Sequence, residues 1–322
     1  ANYNTAVGKG AGQTINTQSS NTIMGYEAGY KINTSNNTIM GMVAGQKLAG
    51  GSGHNTIVGN YAARGDSDLF SGSYNTVLGS YALGDVLLKD TSKNVYIGYK
   101  AGFEALSVTD NVVIGYQAGY SDTLGDQNVY IGYEAAYTAD ESYRNVAIGY
   151  RAGYKMTSAT DNVYVGEQAG YNDITGVYNV GIGDEALFTN TDGYGQIAIG
   201  HHAGYANIGN YGTYIGFGAG KTLAAAGDTH NIAIGYRSMY SATTGTGSIA
   251  IGYYAGRYPE GTYNTFVGHE AGKGVTATRT AYSNVGIGRE ALTSITSGYE
   301  NVAIGNFSGE DMTTGRGNAF VG

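Results

Sequence analysis

One pentapeptide repeats along the whole chain and constrains its fold more than any other feature. Aligned on Asn301-Val302-Ala303-Ile304-Gly305, it occurs nineteen times, first at Asn4 and last at Asn318. More than half of the copies begin 17 residues after the preceding one, and the spacing ranges from 16 to 20. Because these units account for all 322 residues, the sequence predicts a single repeat domain over 1–322 and no second domain.

Each position of the pentad suggests a structural role. The fifth is Gly in all nineteen copies, which predicts a corner with positive φ or a close backbone approach. The first is Asn in sixteen copies, and stacked Asn side chains are expected to form an amide ladder. Three residues after the Gly, the complete copies carry Ala, apart from Ser238 and Ser308. A small residue there predicts a turn packed closely against the core.

The unit length and the strand-forming residues together predict the fold class. Seventeen residues are too few for a helical-hairpin repeat, and β-branched pentads favour strands. We therefore expect an all-β protein, a parallel β-solenoid or β-roll of about nineteen coils that stack by backbone hydrogen bonds. The single proline agrees with this, because proline cannot donate to such a ladder.

The third pentad position suggests association between chains. Alternate strand residues share a face, so positions two and four are expected to point into the core and position three outward. None of the nineteen residues at position three is charged, and a long apolar stripe indicates association. We expect several chains to pack along it, most simply as a parallel trimer; the alternative is a flattened coil whose second layer belongs to the same chain. The predicted interface residues are Ile39, Ile57, Val77, Tyr96, Val113, Tyr130, Tyr164, Tyr214 and Phe266.

The extended motif Asn145-Val146-Ala147-Ile148-Gly149-Tyr150-Arg151-Ala152 resembles the head repeats of trimeric autotransporter adhesins. Similar repeats occur in phage tail fibres and bacterial surface fibres. The resemblance implies a left-handed trimeric β-roll that is extracellular, on a cell surface or in a virion fibre, and that serves attachment. It covers about eight residues of nearly every unit. The chain differs in its longer unit and its many tyrosines, and we expect no coiled-coil stalk or membrane anchor of the adhesin kind within residues 1–322.

Tyrosine recurs directly after the pentad Gly, so that successive coils are expected to align these rings. The predicted ladder comprises Tyr99, Tyr116, Tyr133 and Tyr150. Such rigid, amphipathic rings would suit a sugar or another fibre. The competing interpretation, which we favour, is that the rings stack on one another and stiffen the rod.

Composition and charge exclude several classes. Without cysteine there is no disulfide, zinc–thiolate site, iron–sulfur cluster or cysteine nucleophile. A net charge of −8 without a basic tract predicts no nucleic-acid partner, and no apolar run is long enough to predict membrane insertion. The five histidines follow the repeat, so we expect no cofactor, no metal centre and no enzyme.

The sequence thus predicts a non-catalytic extracellular fibre, filament or adhesin shaft that associates with itself. The alternative is a carbohydrate- or surface-binding module that uses the Tyr ladder and variable loops. Because the pentads begin at Asn4 and end at Gly322 without caps, we expect a fibre segment or a subunit that stacks head to tail. Ice binding needs an exposed Thr ladder, whereas the early pentad threonines are expected to point inward. They are Thr5, Thr22, Thr38, Thr56 and Thr76.

Overall fold

The computed structural model describes residues 3–48, 50–51, 53–65, 71–84, 91–223, 227–242, 245–258, 261–274 and 280–322. The chain divides into two compact units, Ala1–Asn162 and Val163–Gly322. Both are stacks of one kind of coil, which consists of a three-residue strand, a turn that starts at the pentad Gly, and a return segment. One domain over 1–322 stays a prediction.

In the first unit, nine strands pair in parallel, each with the strand of the next coil, and residues at the same pentad position face each other. A second, two-stranded pairing joins β3 and β5. The described strands are β1 Thr5–Val7, β2 Thr22–Met24, β3 Lys31–Ile32, β4 Thr38–Met40, β5 Lys47–Leu48, β6 Thr56–Val58, β7 Thr76–Leu78, β8 Val95–Ile97, β9 Val112–Ile114, β10 Val129–Ile131 and β11 Val146–Ile148.

In the second unit, ten strands pair in the same way, and β15 and β17 form a separate pair. The parallel β-solenoid expected from the repeat is confirmed for both units. The described strands are β12 Val163–Val165, β13 Val180–Ile182, β14 Ile197–Ile199, β15 Gly209–Asn210, β16 Thr213–Ile215, β17 Gly227–Asp228, β18 Ile232–Ile234, β19 Ile249–Ile251, β20 Thr265–Val267, β21 Val285–Ile287, β22 Val302–Ile304 and β23 Ala319–Val321.

The two faces of each strand are the reverse of our expectation. Position three points into the coil, and positions two and four point outward, half-buried or exposed. The segment that faces each strand across the interior belongs to the same chain, as Gly102 against Tyr96 shows. The residues predicted to form an oligomer interface are instead core residues, at most 2% exposed: Ile39, Ile57, Val77, Tyr96, Val113, Tyr130, Tyr164, Tyr214 and Phe266.

Within a single coil, a large side chain at one interior position faces a small residue at the opposite position. Counting the pentad Asn as position one, position nine faces position three across the coil. A Cβ added at Gly102 would lie 2.1 Å from the Tyr96 ring, and one at Gly272 would lie 2.3 Å from Phe266. Where position three shrinks to Gly286, position nine grows to Leu292, which is fully buried. Close packing of this kind explains how position three can be Gly in one coil and Tyr in another.

The Gly and Asn positions behave as the repeat predicts. Within each unit, every pentad Gly that has a coil above it lies against the Gly of that coil; a Cβ on Gly132 would be 2.2 Å from the Gly149 carbonyl oxygen. The Asn ladder is also present: the Oδ1 of Asn128 accepts the backbone N–H of Asn145 at 2.9 Å. The Asn128 Nδ2 donates to the Ser142 carbonyl at 2.7 Å, which fixes the return segment of its own coil.

Candidate interaction surface

The outward sheet face is the set of pentad positions two and four on the main strands. In β10, Val129 and Ile131 flank the buried Tyr130, and in β11 Val146 and Ile148 lie beside them in register. Across the nineteen pentads these two positions contain only Thr and aliphatic residues, without a charge. The strand is therefore apolar on both faces, a pattern typical of strands that are covered on both sides.

The size of this face can be estimated from strand geometry. Nine strands spaced ~4.8 Å apart, with three residues of ~3.3 Å each, give a strip of about 40 by 10 Å on the first unit alone. That is about 400 Å², within the range of the largest apolar patch on a typical monomer. The largest apolar patch of a monomer is often functional.

The predicted Tyr ladder lies on the turns beside this sheet, and its stacking is confirmed. Ring centroids are 5.3 Å apart for Tyr99–Tyr116, 5.0 Å for Tyr116–Tyr133 and 5.3 Å for Tyr133–Tyr150, with interplanar angles of 23°, 5° and 14°. Each of these four side chains is between 41% and 43% exposed. The rings thus cover one another's faces, and their edges and hydroxyl groups face the solvent.

A second aromatic column runs parallel to the first, four residues further along each coil. It contains Phe103, Tyr120, Tyr137 and Tyr154, with centroid distances of 5.2, 5.0 and 5.3 Å. Basic side chains bridge the two columns. The Arg151 guanidinium lies 5.2 Å from the Tyr150 ring and 5.4 Å from the Tyr154 ring, and its Nε donates to Glu134 Oε2 at 2.7 Å. We defined neither this column nor its bridging charges from the sequence, although a 17-residue spacing of aromatics would have indicated it.

One group of possible metal ligands was missed because its members lie on different coils. His269, Glu270 and Glu290 bring ligand atoms within 4.8 Å of one another. Both carboxylates already have cationic partners, with Lys273 Nζ 2.9 Å from Glu270 and Arg289 3.0 Å from Glu290. These ion pairs satisfy the charges without a metal ion.

Two carboxyl groups, which we did not predict to be buried, lie inside the coils at position twelve. Asp122 lies near Tyr96 and Tyr130, and its Oδ1 accepts the Gly125 N–H at 2.9 Å. Burial raises the pKa of Asp122 to about 8, and the nearby Asp126 and Asp140 add to the shift. Burial likewise raises the pKa of Asp173 to about 7, although its Oδ2 accepts the Tyr164 hydroxyl at 2.6 Å.

These carboxyl groups predict that the protein loses stability as the pH rises. Below about pH 4 Asp122 is protonated whether the chain is folded or not; between about pH 4 and 8 the unfolded chain releases a proton that the folded chain keeps. Stability should fall by up to about 1.4 kcal/mol per pH unit per carboxyl in this window. Asp122→Asn should raise the denaturation midpoint at pH 8 and flatten its pH dependence, as measured by urea titration between pH 5 and 8.

Another coil of the chain already has Asn at position twelve, which indicates that Asp122→Asn fits there. Asn190 occupies the equivalent position, and its Oδ1 accepts the Gly193 N–H at 3.0 Å. The control is Asp161→Asn. Asp161 is half-buried, and the Arg144 guanidinium holds its pKa below the usual value. Its contribution is lost only in acid, so this control should leave the slope between pH 5 and 8 unchanged. An equal slope in Asp122→Asn and the unmodified chain would contradict the prediction.

The orientation of the strands also corrects the expectation for the threonines. Position two faces outward, so the early pentad threonines lie on the outward sheet face. They share it with large apolar residues at position four, including Met24 and Met40. A regular array of Thr alone is therefore not formed. The five residues concerned are Thr5, Thr22, Thr38, Thr56 and Thr76.

Comparison with known proteins does not assign the chain to a family. No protein-family model matches it, and none of the curated protein sequences does so either. The similarity to adhesin head repeats thus stays a prediction. None of the residues described by the structure belongs to a helix with the length and apolarity needed to cross a lipid bilayer.

Proposed function

We propose that the protein is a non-catalytic structural rod that assembles side by side with copies of itself through the outward sheet face. The observation that carries this function is the pair of columns at positions two and four, which contain only Thr and aliphatic residues and no charge in any coil. The repeat of the face supports a second copy as the partner. The face presents one pair of residues every ~4.8 Å. Its side chains can interdigitate along the whole face with those of another surface that has the same spacing, such as a second copy of the chain.

The hydrogen bonds between coils and the position of the buried carboxyl groups also support a structural role. Backbone hydrogen bonds join successive coils within each unit, and Asn side chains add a ladder that is interrupted at Gly212. The buried Asp122 and Asp173 are enclosed by the coil rather than open to a substrate. The extracellular, cell-surface or virion location that fits such a fibre is part of this proposal, as are the trimeric state and head-to-tail stacking.

Placing charges on the face should abolish assembly. In Val129→Lys/Ile131→Lys, the long side chains can reach solvent in a free chain but would be buried without partners in an assembly. We expect the unmodified protein to be oligomeric at micromolar concentration and this variant to be at least tenfold more dissociated. Sedimentation equilibrium measures both masses, and circular dichroism verifies that the variant is folded.

A matched control adds the same two charges on another face. Gln117→Lys/Gln127→Lys places lysines where the two neighbouring coils already have the basic residues Lys100 and Arg144 at the same positions. This variant should assemble like the unmodified protein. A monomeric unmodified protein, or equal dissociation of the two double variants, would refute side-by-side assembly through this face.

The structure favours self-association over carbohydrate binding by the Tyr ladder. Sugars bind aromatic side chains through the ring face, and in this ladder the ring faces are occupied by neighbouring rings 5.0 to 5.3 Å away. Carbohydrate binding stays a prediction. It requires that isolated chains bind glycans and lose this binding when Tyr116, Tyr133 and Tyr150 are changed to Ala.

A further inference from the structure

The two aromatic columns of the first unit place phenol groups of successive coils at a fixed, short separation. Tyr116 and Tyr133 have centroids 5.0 Å apart and planes within 5°, and Tyr120 and Tyr137 are 5.0 Å apart with planes within 15°. The first column is more than two-fifths exposed along its edge, so that a diffusing oxidant reaches its phenols. Both columns are held by coils whose register is set by backbone hydrogen bonds.

We propose that these columns are sites of oxidative tyrosine–tyrosine coupling, which joins successive coils of one chain covalently. The co-reactant is a one-electron oxidant, namely hydrogen peroxide with a haem peroxidase. Each of two neighbouring phenols gives up one electron and one proton, and the two phenoxyl radicals join through the ring carbons next to the oxygens. The hydrogens on those carbons then move to the oxygens. In total, two tyrosines and one peroxide give one dityrosine and two waters.

The geometry favours coupling within the column over coupling elsewhere. Radicals on stacked neighbours meet without diffusion, and such fixed proximity strongly accelerates a bimolecular step. A base is also in place, because the Glu134 carboxylate accepts a hydrogen bond from the Tyr133 hydroxyl, which raises the pKa of Tyr133. Glu134 is thus placed to receive the phenolic proton when the Tyr133 ring is oxidised.

The chain contains its own negative control. Tyr205 in the second unit has a similar stacked neighbour at 5.1 Å, but that neighbour is Phe188, which has no phenol. Buried phenols such as Tyr130 provide a second control, because the ring is inaccessible to an oxidant. Coupling should therefore include Tyr116–Tyr133 and Tyr133–Tyr150 and omit Tyr205 and Tyr130.

The experiment treats the full chain with horseradish-type peroxidase and hydrogen peroxide and follows dityrosine fluorescence. Trypsin then releases peptide 145–151, with Tyr150, separately from peptide 101–144, with Tyr133. We expect the two peptides joined with the loss of two hydrogens. An equal mixture of ¹⁵N-labelled and unlabelled chains should give joined peptides that are wholly light or wholly heavy, since the bond forms within a chain.

Two variants decide the outcome. Tyr133→Phe keeps a stacked ring but removes the phenol, so the 101–144 to 145–151 product should fall at least tenfold; Tyr205→Phe should leave it unchanged. Mixed light and heavy products, products at Tyr205 as abundant as those at Tyr133, or an unchanged yield in Tyr133→Phe would overturn the proposal. These readouts do not depend on whether the chain self-associates, because the isotope pattern separates bonds within a chain from bonds between chains.

Discussion

Replacing Gly132 by Ala is expected to cost at least about 4 kcal/mol of local stability, well above the effect of a typical substitution. Two independent conflicts add up at this residue. Its φ is +143°, in a region that is almost restricted to Gly, and a Cβ would lie 2.2 Å from the Gly149 carbonyl oxygen. Coils 128–144 and 145–161 would have to separate, which breaks the parallel pairing between β10 and β11.

Hydrogen exchange is the appropriate measurement, because a stack of coils can open locally without global unfolding. Amides of β10 and β11 should lose protection by the stated amount. The matched control is Gly317→Ala, which has a positive φ of +65° but no atom within 4 Å of the added Cβ. That control should cost about 1 kcal/mol from backbone strain alone. If Gly132→Ala and Gly317→Ala lose equal protection, the requirement for Gly does not come from the contact between coils.

The second large effect is expected at the Asn ladder. Asn128→Ala removes the acceptor of the Asn145 backbone N–H and the donor to the Ser142 carbonyl, and it leaves both groups buried without these partners. Because each buried unsatisfied group costs about 1–3 kcal/mol, we expect a total loss of about 3 kcal/mol. Urea titration together with exchange at Asn145 measures this loss.

A conservative variant separates hydrogen bonding from packing. The ladder already contains Ser248, whose Oγ accepts the Asn264 backbone N–H at 3.2 Å. Asn128→Ser should therefore recover a substantial part of the stability that Asn128→Ala loses. If Ser and Ala are equally destabilising, the amide ladder does not contribute through its acceptor oxygens.

The repeat allowed much of the fold to be predicted. A period of 17 residues and an invariant Gly define the coil, and they place the Asn and Tyr side chains one above another whichever way the strand faces. The stacking of Tyr116 on Tyr133 and the bond between Asn128 and Asn145 therefore followed from spacing alone.

The orientation of the strands was predicted wrongly, because these strands are apolar on both sides and hydrophobicity does not distinguish the sides. A different signal was present in the sequence. Position three pairs a large side chain with Gly at position nine, as in Tyr96 and Gly102, and a small residue with a large one, as in Gly286 and Leu292. Such compensation within one coil is expected only for two positions that share an interior.

The burial of Asp122 and Asp173 was not predicted, although position twelve carries a signal. It is apolar in most units, as in Ile32, Met156 and Ile295, which are all buried. The signal is weak because the segment varies in length between units and a carboxyl group at one position of it is ordinarily read as solvent-exposed. In the closed coil, Asn190 and Asn207 at the same position also prove to be buried.

The most direct test of assembly through the outward sheet face is cryo-electron microscopy of the purified, undenatured protein. We expect rods whose coils repeat every ~4.8 Å and whose neighbours meet through the columns that contain Val129 and Ile131, with the tyrosine columns outside the contact. Rods that remain single, or that meet through the turns carrying Tyr116 and Tyr133, would contradict it.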